Sequence, residues 1–204
     1  MLSELLIHHP KLRLLVDLWR EARASDSLPN LSDIDPVTLG AELLPFVWII
    51  RGSSADDYHL SLIGEEIRTN FAESPVGKPL RDVLKGPIGA KMFDRVCQVF
   101  ERQQGHFSQG PMAGTAGRRY LGTRIMLPVA DDATGPGATA VIGGFEKLEE
   151  KKRLVLLGED INTPLYSLET EHVFTVAELG YAVDRSAGVN PRTPQQPGQY
   201  GSLS

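Results

Sequence analysis

The sequence predicts an α+β domain built on a five-stranded antiparallel sheet. Helices are expected between the second and third strands, and further helices ahead of the first. Three observations lead there. Two short strand patterns stand close together between residues 46 and 62, three more follow residue 105, and helix-period segments lie between the two groups. By pattern, residues 1–45 form an N-terminal helical extension and residues 46–149 the sheet domain. Residues 150–204 form a C-terminal extension.

The first solid helix is expected from Pro10 to Ala24. Proline suits the first helical turn, and Leu12, Leu15, Val16 and Trp19 recur at helix spacing. Leu14 and Leu18 widen that stripe beyond one packing surface, so the helix is expected to cover its own domain and a second copy as well. Asp35-Pro36 then reads as an N-cap followed by a first-turn proline. The helix it opens, through Leu39, Leu43 and Leu44, ends at Pro45.

Phe46-Val47-Trp48-Ile49-Ile50 is a continuous apolar run, as in a strand buried on both faces. Tyr58, Leu60 and Leu62 alternate with His59 and Ser61, giving a second strand with one apolar face. After Gly64 the period changes: Ile67 and Phe71 stand four apart on a short helix, and Leu80, Val83 and Leu84 make another brief helical piece. Gly86-Pro87 starts the longest central helix, with an apolar stripe of Ile88, Met92, Val96, Val99 and Phe100 that Gly105 closes. Strand candidates follow at 106–112, 120–129 and 138–145, joined by turn-rich linkers suited to hairpins. Residues 151–187 are ambiguous, with 172–176 a short strand or a docking segment. The Pro- and Gly-rich stretch from 188 to 204 reads as a flexible tail.

Composition narrows function. Lys plus Arg total 21 against 26 Asp plus Glu, a net charge of −5, which argues against a nucleic-acid binder with a broad basic face. A single cysteine, Cys97, excludes an internal disulfide and a Cys-based zinc site. No apolar run reaches the roughly 18 to 20 residues needed to span a bilayer, and the start lacks a secretion signal, so a cytoplasmic protein is expected. A nucleophile elbow, a His-Glu zinc motif and a Walker sequence are all missing, so no enzyme is expected.

The segments "LSDIDPVTLGAELLPFVWII", "YHLSLIGEEIRTNF" and "VGKPLRDVL" resemble a bacterial PAS-like subfamily over roughly residues 10–149. Ala72-Glu73-Ser74-Pro75 departs from the shorter polar turn expected at that point. The resemblance implies a sensory or protein-interaction module that binds a small ligand between sheet and inserted helices, or signals through dimers without one. A photoreactive flavin site of that family would resemble a cysteine on the short-helix segment, and residues 64–85 hold none. The helix 87–104 lacks a histidine for haem. No cofactor and no metal are expected.

Candidate site residues fall into three groups. If Leu60 and Leu62 face the core, so should Leu121, Thr123 and Ile125, with Phe71, Met92, Val96 and Phe100 contributed by helices. These groups are expected to fill an ordinary core; the alternative is an apolar ligand pocket with Thr123 as its polar contact. Arg118, Arg119 and Arg124 form an alternative anion site, against the simpler reading of a solvated hairpin. Leu12, Leu14, Leu15, Leu18 and Trp19 are the expected dimer or partner seam. The expected role is a stand-alone PAS-type regulatory module that works as a homodimer and binds a separate signalling protein, without nucleic acid or membrane insertion. The alternative is a sensor of an apolar metabolite or a nucleotide messenger.

Overall fold

The computed structural model describes residues 2–23, 27–113, 119–133, 139–148 and 170–180. The elements run α1 (Leu2–Leu5), α2 (Pro10–Glu21), α3 (Pro36–Leu43), β1 (Val47–Arg51), β2 (His59–Ile63), α4 (Glu65–Arg68), α5 (Leu80–Val83), α6 (Gly86–Arg102), β3 (Gly105–Ala113), β4 (Arg119–Ala130), β5 (Thr139–Lys147), β6 (Thr170–Phe174) and α7 (Val176–Gly180). The strands form one antiparallel sheet in the order β2-β1-β5-β4-β3-β6. The expected α+β plan, with helices inserted between the second and third strands, is the one observed. The sheet, however, has a sixth strand. Thr170–Phe174 pairs with Gly105–Gln109, placing the ambiguous segment on the edge of the sheet. Phe174 and, just beyond it, Leu179 are completely buried, which anchors that edge.

Both faces of the sheet are covered. On one side α2 lays Leu12, Leu15, Val16 and Trp19 against Val47, Ile49, Ile125, Leu127 and Ile142. Pro10 begins this helix in place of a side-chain cap, and Trp19 Nε1 donates to the Pro128 carbonyl at 2.8 Å. Each such apolar side chain contributes about 1.5–3 kcal/mol on burial, so the helix is held by packing. The stripe expected to form a dimer seam is thereby used within the chain. Leu12, Leu15 and Trp19 are buried, and the half-buried Leu14 and Leu18 pack against the same cluster.

On the other side α4, α5 and α6 pack against Trp48, Ile50, Leu60, Met126 and Val141, with Phe93, Val96, Val99 and Phe100 coming from α6. Tyr58 stacks on Phe100 with ring centroids 4.0 Å apart. Cys97 is half-buried beside this cluster, as expected of a small hydrophobe, and burial and then the Glu101 charge push its thiol pKa up.

Side-chain alternation corrects two expectations. Trp48 pairs with Ile63 and Ile49 with Leu62, but Ile50 pairs with Leu60, which leaves Ser61 as an extra residue. This bulge resets the alternation of β2. Leu60 therefore joins the α6 side while Leu62 packs against the α2 cluster. On β4 the alternation also runs opposite to expectation. Ile125 belongs to the α2 cluster, and Leu121 and Thr123 share its side of the strand. Thr123 Oγ1 lies 3.3 Å from His9 Nε2 and accepts from Gln109 at 3.1 Å. The side of β4 towards α6 is that of Arg124 and Met126. Residues 188–204, expected to be a tail, lie outside the described residues.

Candidate functional site

Between the sheet and the inserted helices lies an apolar cavity of about 300 Å³. Most of the residues expected in a filled core are packed, and open volume lies beside them. The physical reason is the covering. α4 and α5 are only four residues each and are joined by turns, so they cannot lay a continuous stripe across the sheet as α2 does. Val96 and Phe100 of α6 fill the space at one end, and the volume beneath α4 and α5 stays open.

Of the residues expected to line a pocket, Leu60, Phe71 and Met92 do so. Val96 and Phe100 are buried in the adjoining filled core. Leu62, Leu121, Thr123 and Ile125 stand on the opposite face. Sequence reading did not pick out Trp48, Ile50 or Phe145 for the floor, nor Ile67, Leu84 and Ile88 for the helical wall. Trp48 had a signal available. It faces Gly143 across the β1–β5 pair, and a Cβ on that glycine would sit 2.1 Å from the indole. The Gly143-Gly144 pair thus gives close backbone packing, letting the indole lie flat over the sheet.

Three polar residues share the cavity wall: Asn70, Lys85 and Arg124. Asn70 Nδ2 donates to the Ile67 carbonyl at 3.0 Å, holding the end of α4. Lys85 is exposed at the start of α6. Arg124 is buried in the middle of β4, where its Nε donates to Ser108 Oγ at 3.1 Å. Arg119 lies five residues along the strand, about 17 Å away in extended chain, and Arg118 is outside the described residues.

Behind α6 a second group of charges ties the helix to β6. Glu171 accepts from Arg95 and lies 3.2 Å from Lys91 Nζ and 3.6 Å from His106 Nε2. Partial burial raises its pKa, but hydrogen bonds from Arg95 and Lys91 and their charges outweigh that and hold it at about 2. His106 is buried, and neither ring nitrogen has a hydrogen-bond partner among the described residues. Burial, and then the charge of Arg95, lower its pKa to about 4.

A further hollow of about 390 Å³ lies at the other end of β1, and its polar groups bind one another. Arg51 meets Asp131 at 3.1 Å, Asn30 donates to Asp132, and Asp35 Oδ1 accepts from the Thr38 amide at 2.7 Å. It joins β4 to the N-terminal segment, with Ala130 N donating to the Pro29 carbonyl at 2.9 Å. The histidines follow the same structural logic: His9 is buried with Nδ1 3.0 Å from Glu146, and His59 Nδ1 lies 2.9 Å from the Asp57 carbonyl. No described helix is long and apolar enough to cross a membrane.

Solved structures similar to this chain include a light-oxygen-voltage domain described with a flavin analogue. It is 19% identical, covering 59% of this chain and 89% of that one, with a TM-score of 0.42. The light-state LOV domain of the blue-light photoreceptor Aureochrome1 is 16% identical, covering 57% and 91%, at 0.41. The PAS domain of Bordetella pertussis BvgS is 16% identical, covering 61% and 90%, at 0.43. No curated protein matches. The PAS domain family model matches residues 7–141, a stretch that takes in α2, β1–β4 and all the inserted helices. On that match the chain belongs to the PAS domain family.

Proposed function

We propose that this PAS domain is a regulatory module that senses a small molecule held between its sheet and α4–α6. The observation that supports this is the cavity of about 300 Å³, apolar on nearly every side and interrupted by a few polar groups. That is the make-up of a ligand site, in which apolar contact supplies affinity and sparse polar groups supply orientation. The reading prefers the sensor alternative to a dimer built on the N-terminal helix, because the leucines and Trp19 of that helix are packed against their own sheet.

The output in this reading is contact with a separate signalling protein. Helix α6 supplies Met92 to the cavity wall and Lys91 and Arg95 to the Glu171 cluster that holds β6. A ligand that moves α6 by a fraction of a side chain would change the seat of an edge strand, a surface that other proteins can read.

The test uses 1-octanol and octanoate as neutral and charged probes on the full chain, with calorimetry as readout. At least one is expected to bind. Met92→Trp, which puts a larger ring into the cavity, should weaken that binding about tenfold or more while leaving the circular dichroism spectrum intact. Failure of both probes to bind the parent protein would refute the sensor reading.

A further inference from the structure

We infer that the ligand of this cavity is a neutral, planar molecule about the size of two fused rings, stacked on the indole of Trp48. The inference rests on the sensor reading above and adds the chemical class. An apolar cavity of about 150 Å³ takes a single benzene ring, so about 300 Å³ has room for two rings. The wall is flat where those rings would lie. A Cβ at Gly143 would sit 2.1 Å from the Trp48 indole, so one face of the indole rests on the glycine and leaves the other to the cavity that Trp48 lines. Phe71 and Phe145 line the same space, and aromatic side chains favour offset or edge-on contact with a further ring.

Charge separates neutral from ionised ligands. Among the described lining residues the charged ones are Arg124 and Lys85. Arg124 is buried, donates to Ser108 Oγ at 3.1 Å and is engaged by a further partner within the chain, so its charge is already spoken for. Lys85 is exposed, and its charge stays in water at the rim. An ionised group drawn in past that rim would leave water without a counter-ion in the described wall, at a large cost in free energy. A neutral hydroxyl fares better. Asn70 Nδ2 donates to the carbonyls of Ile67 at 3.0 Å and Glu66 at 3.4 Å, which leaves its Oδ1 to accept from a ligand O–H.

The experiment compares 2-naphthol, 2-naphthoate and decahydro-2-naphthol on the full-length protein by calorimetry at about pH 7, where the phenol is neutral and the carboxylate ionised. 2-Naphthol should bind about tenfold or more tightly than 2-naphthoate, and about threefold or more tightly than its puckered, saturated analogue. In Trp48→Leu the preference for the planar ring should vanish, and the preference for the neutral ligand should stay. Equal binding by 2-naphthol and either comparator in the parent protein would overturn the assigned class yet leave the sensor reading standing. No binding of 2-naphthol would overturn the class as well, and where 1-octanol and octanoate also fail the sensor reading falls with it. The parent comparison decides the matter even where Trp48→Leu does not fold. A Trp48→Leu protein that folds and keeps the planar preference also overturns the assignment.

Discussion

The two faces of the sheet are covered in different ways, and the difference explains why an apolar cavity lies beneath α4–α6 and none beneath α2 among the described residues. On the α2 face a single twelve-residue amphipathic helix brings Leu12, Leu15, Val16 and Trp19 down in one stripe, and the space is filled. On the other face the same strands meet two four-residue helices and one long one, and about 300 Å³ remains open. Charge is divided as well. The opposite face carries buried Arg95, Arg124 and His106, whereas the α2 cluster is apolar apart from the His9–Glu146–Thr123 contacts at its edge. Beneath α2 the packing is close and apolar; beneath α4–α6 there is open volume, with buried charge beside it.

The largest effect is expected where the filled face is broken. Trp19→Ala removes a side chain with no exposure and its hydrogen bond to the Pro128 carbonyl. The loss should be about 3–5 kcal/mol in urea unfolding, because a close-packed site cannot collapse around the deleted ring. A loss near 1 kcal/mol would mean that the α2 face is as loosely packed as its opposite, and the comparison would fail.

Next comes a pH effect confined to the charged face. The pKa of His106 is lowered from 6.5 to about 4 by burial and by Arg95. Between those values the unfolded chain binds a proton that the folded chain refuses. Stability therefore falls as pH drops from about 6.5 to about 4, by at most about 3 kcal/mol. Glu171 works in a lower window: its pKa is depressed to about 2, so its contribution is present above about 4.5 and fades as pH falls towards 2. His106→Leu should flatten the upper window and leave the lower one, read by urea unfolding at a series of pH values. The groups facing His106 are Arg95 on α6, Arg124 on β4 and Glu171 on β6. A variant whose stability still falls as steeply as the parent's from 6.5 to 4 would move the titration to another residue.

Much of this was readable from residue pattern. The order of helices and strands follows from hydrophobic period, and Pro10, Asp35-Pro36 and Gly86-Pro87 mark helix starts. The sides on which side chains fall were less legible. Leu60 and Leu62 are two apart and read as one face, yet the extra residue at Ser61 separates them, and no local composition announces a bulge there. β4 is apolar on both sides at Ile125, Met126 and Leu127, so alternation alone cannot assign its faces. The same ambiguity hid Arg124, which reads as a solvated hairpin arginine until the sheet is closed over both its faces. The wide stripe on α2 divides in a way that spacing alone does not show: Leu12, Leu15 and Trp19 are covered by the chain itself, and half-buried Leu14 and Leu18 flank them.

The smallest effect is also the sharpest comparison, since it makes one substitution at two neighbouring positions that face opposite ways. A Cβ at Gly144 would meet the ends of Leu15 at 2.8 Å and Leu12 at 3.0 Å, flexible methyl groups that give by a few tenths of an ångström. A Cβ at Gly143 would lie 2.1 Å from the rigid Trp48 indole, which has to move, and the open volume beside it is the cavity. Gly143→Ala should therefore cost about 1–3 kcal/mol as overpacking and weaken 2-naphthol binding, because the indole is driven into the ligand's space. Gly144→Ala should cost less than about 1 kcal/mol, partly offset by the lower chain entropy of alanine, and should leave 2-naphthol binding unchanged. Equal loss of 2-naphthol affinity in the two variants would mean that the faces communicate through the sheet and that the α2 side is part of the binding site after all.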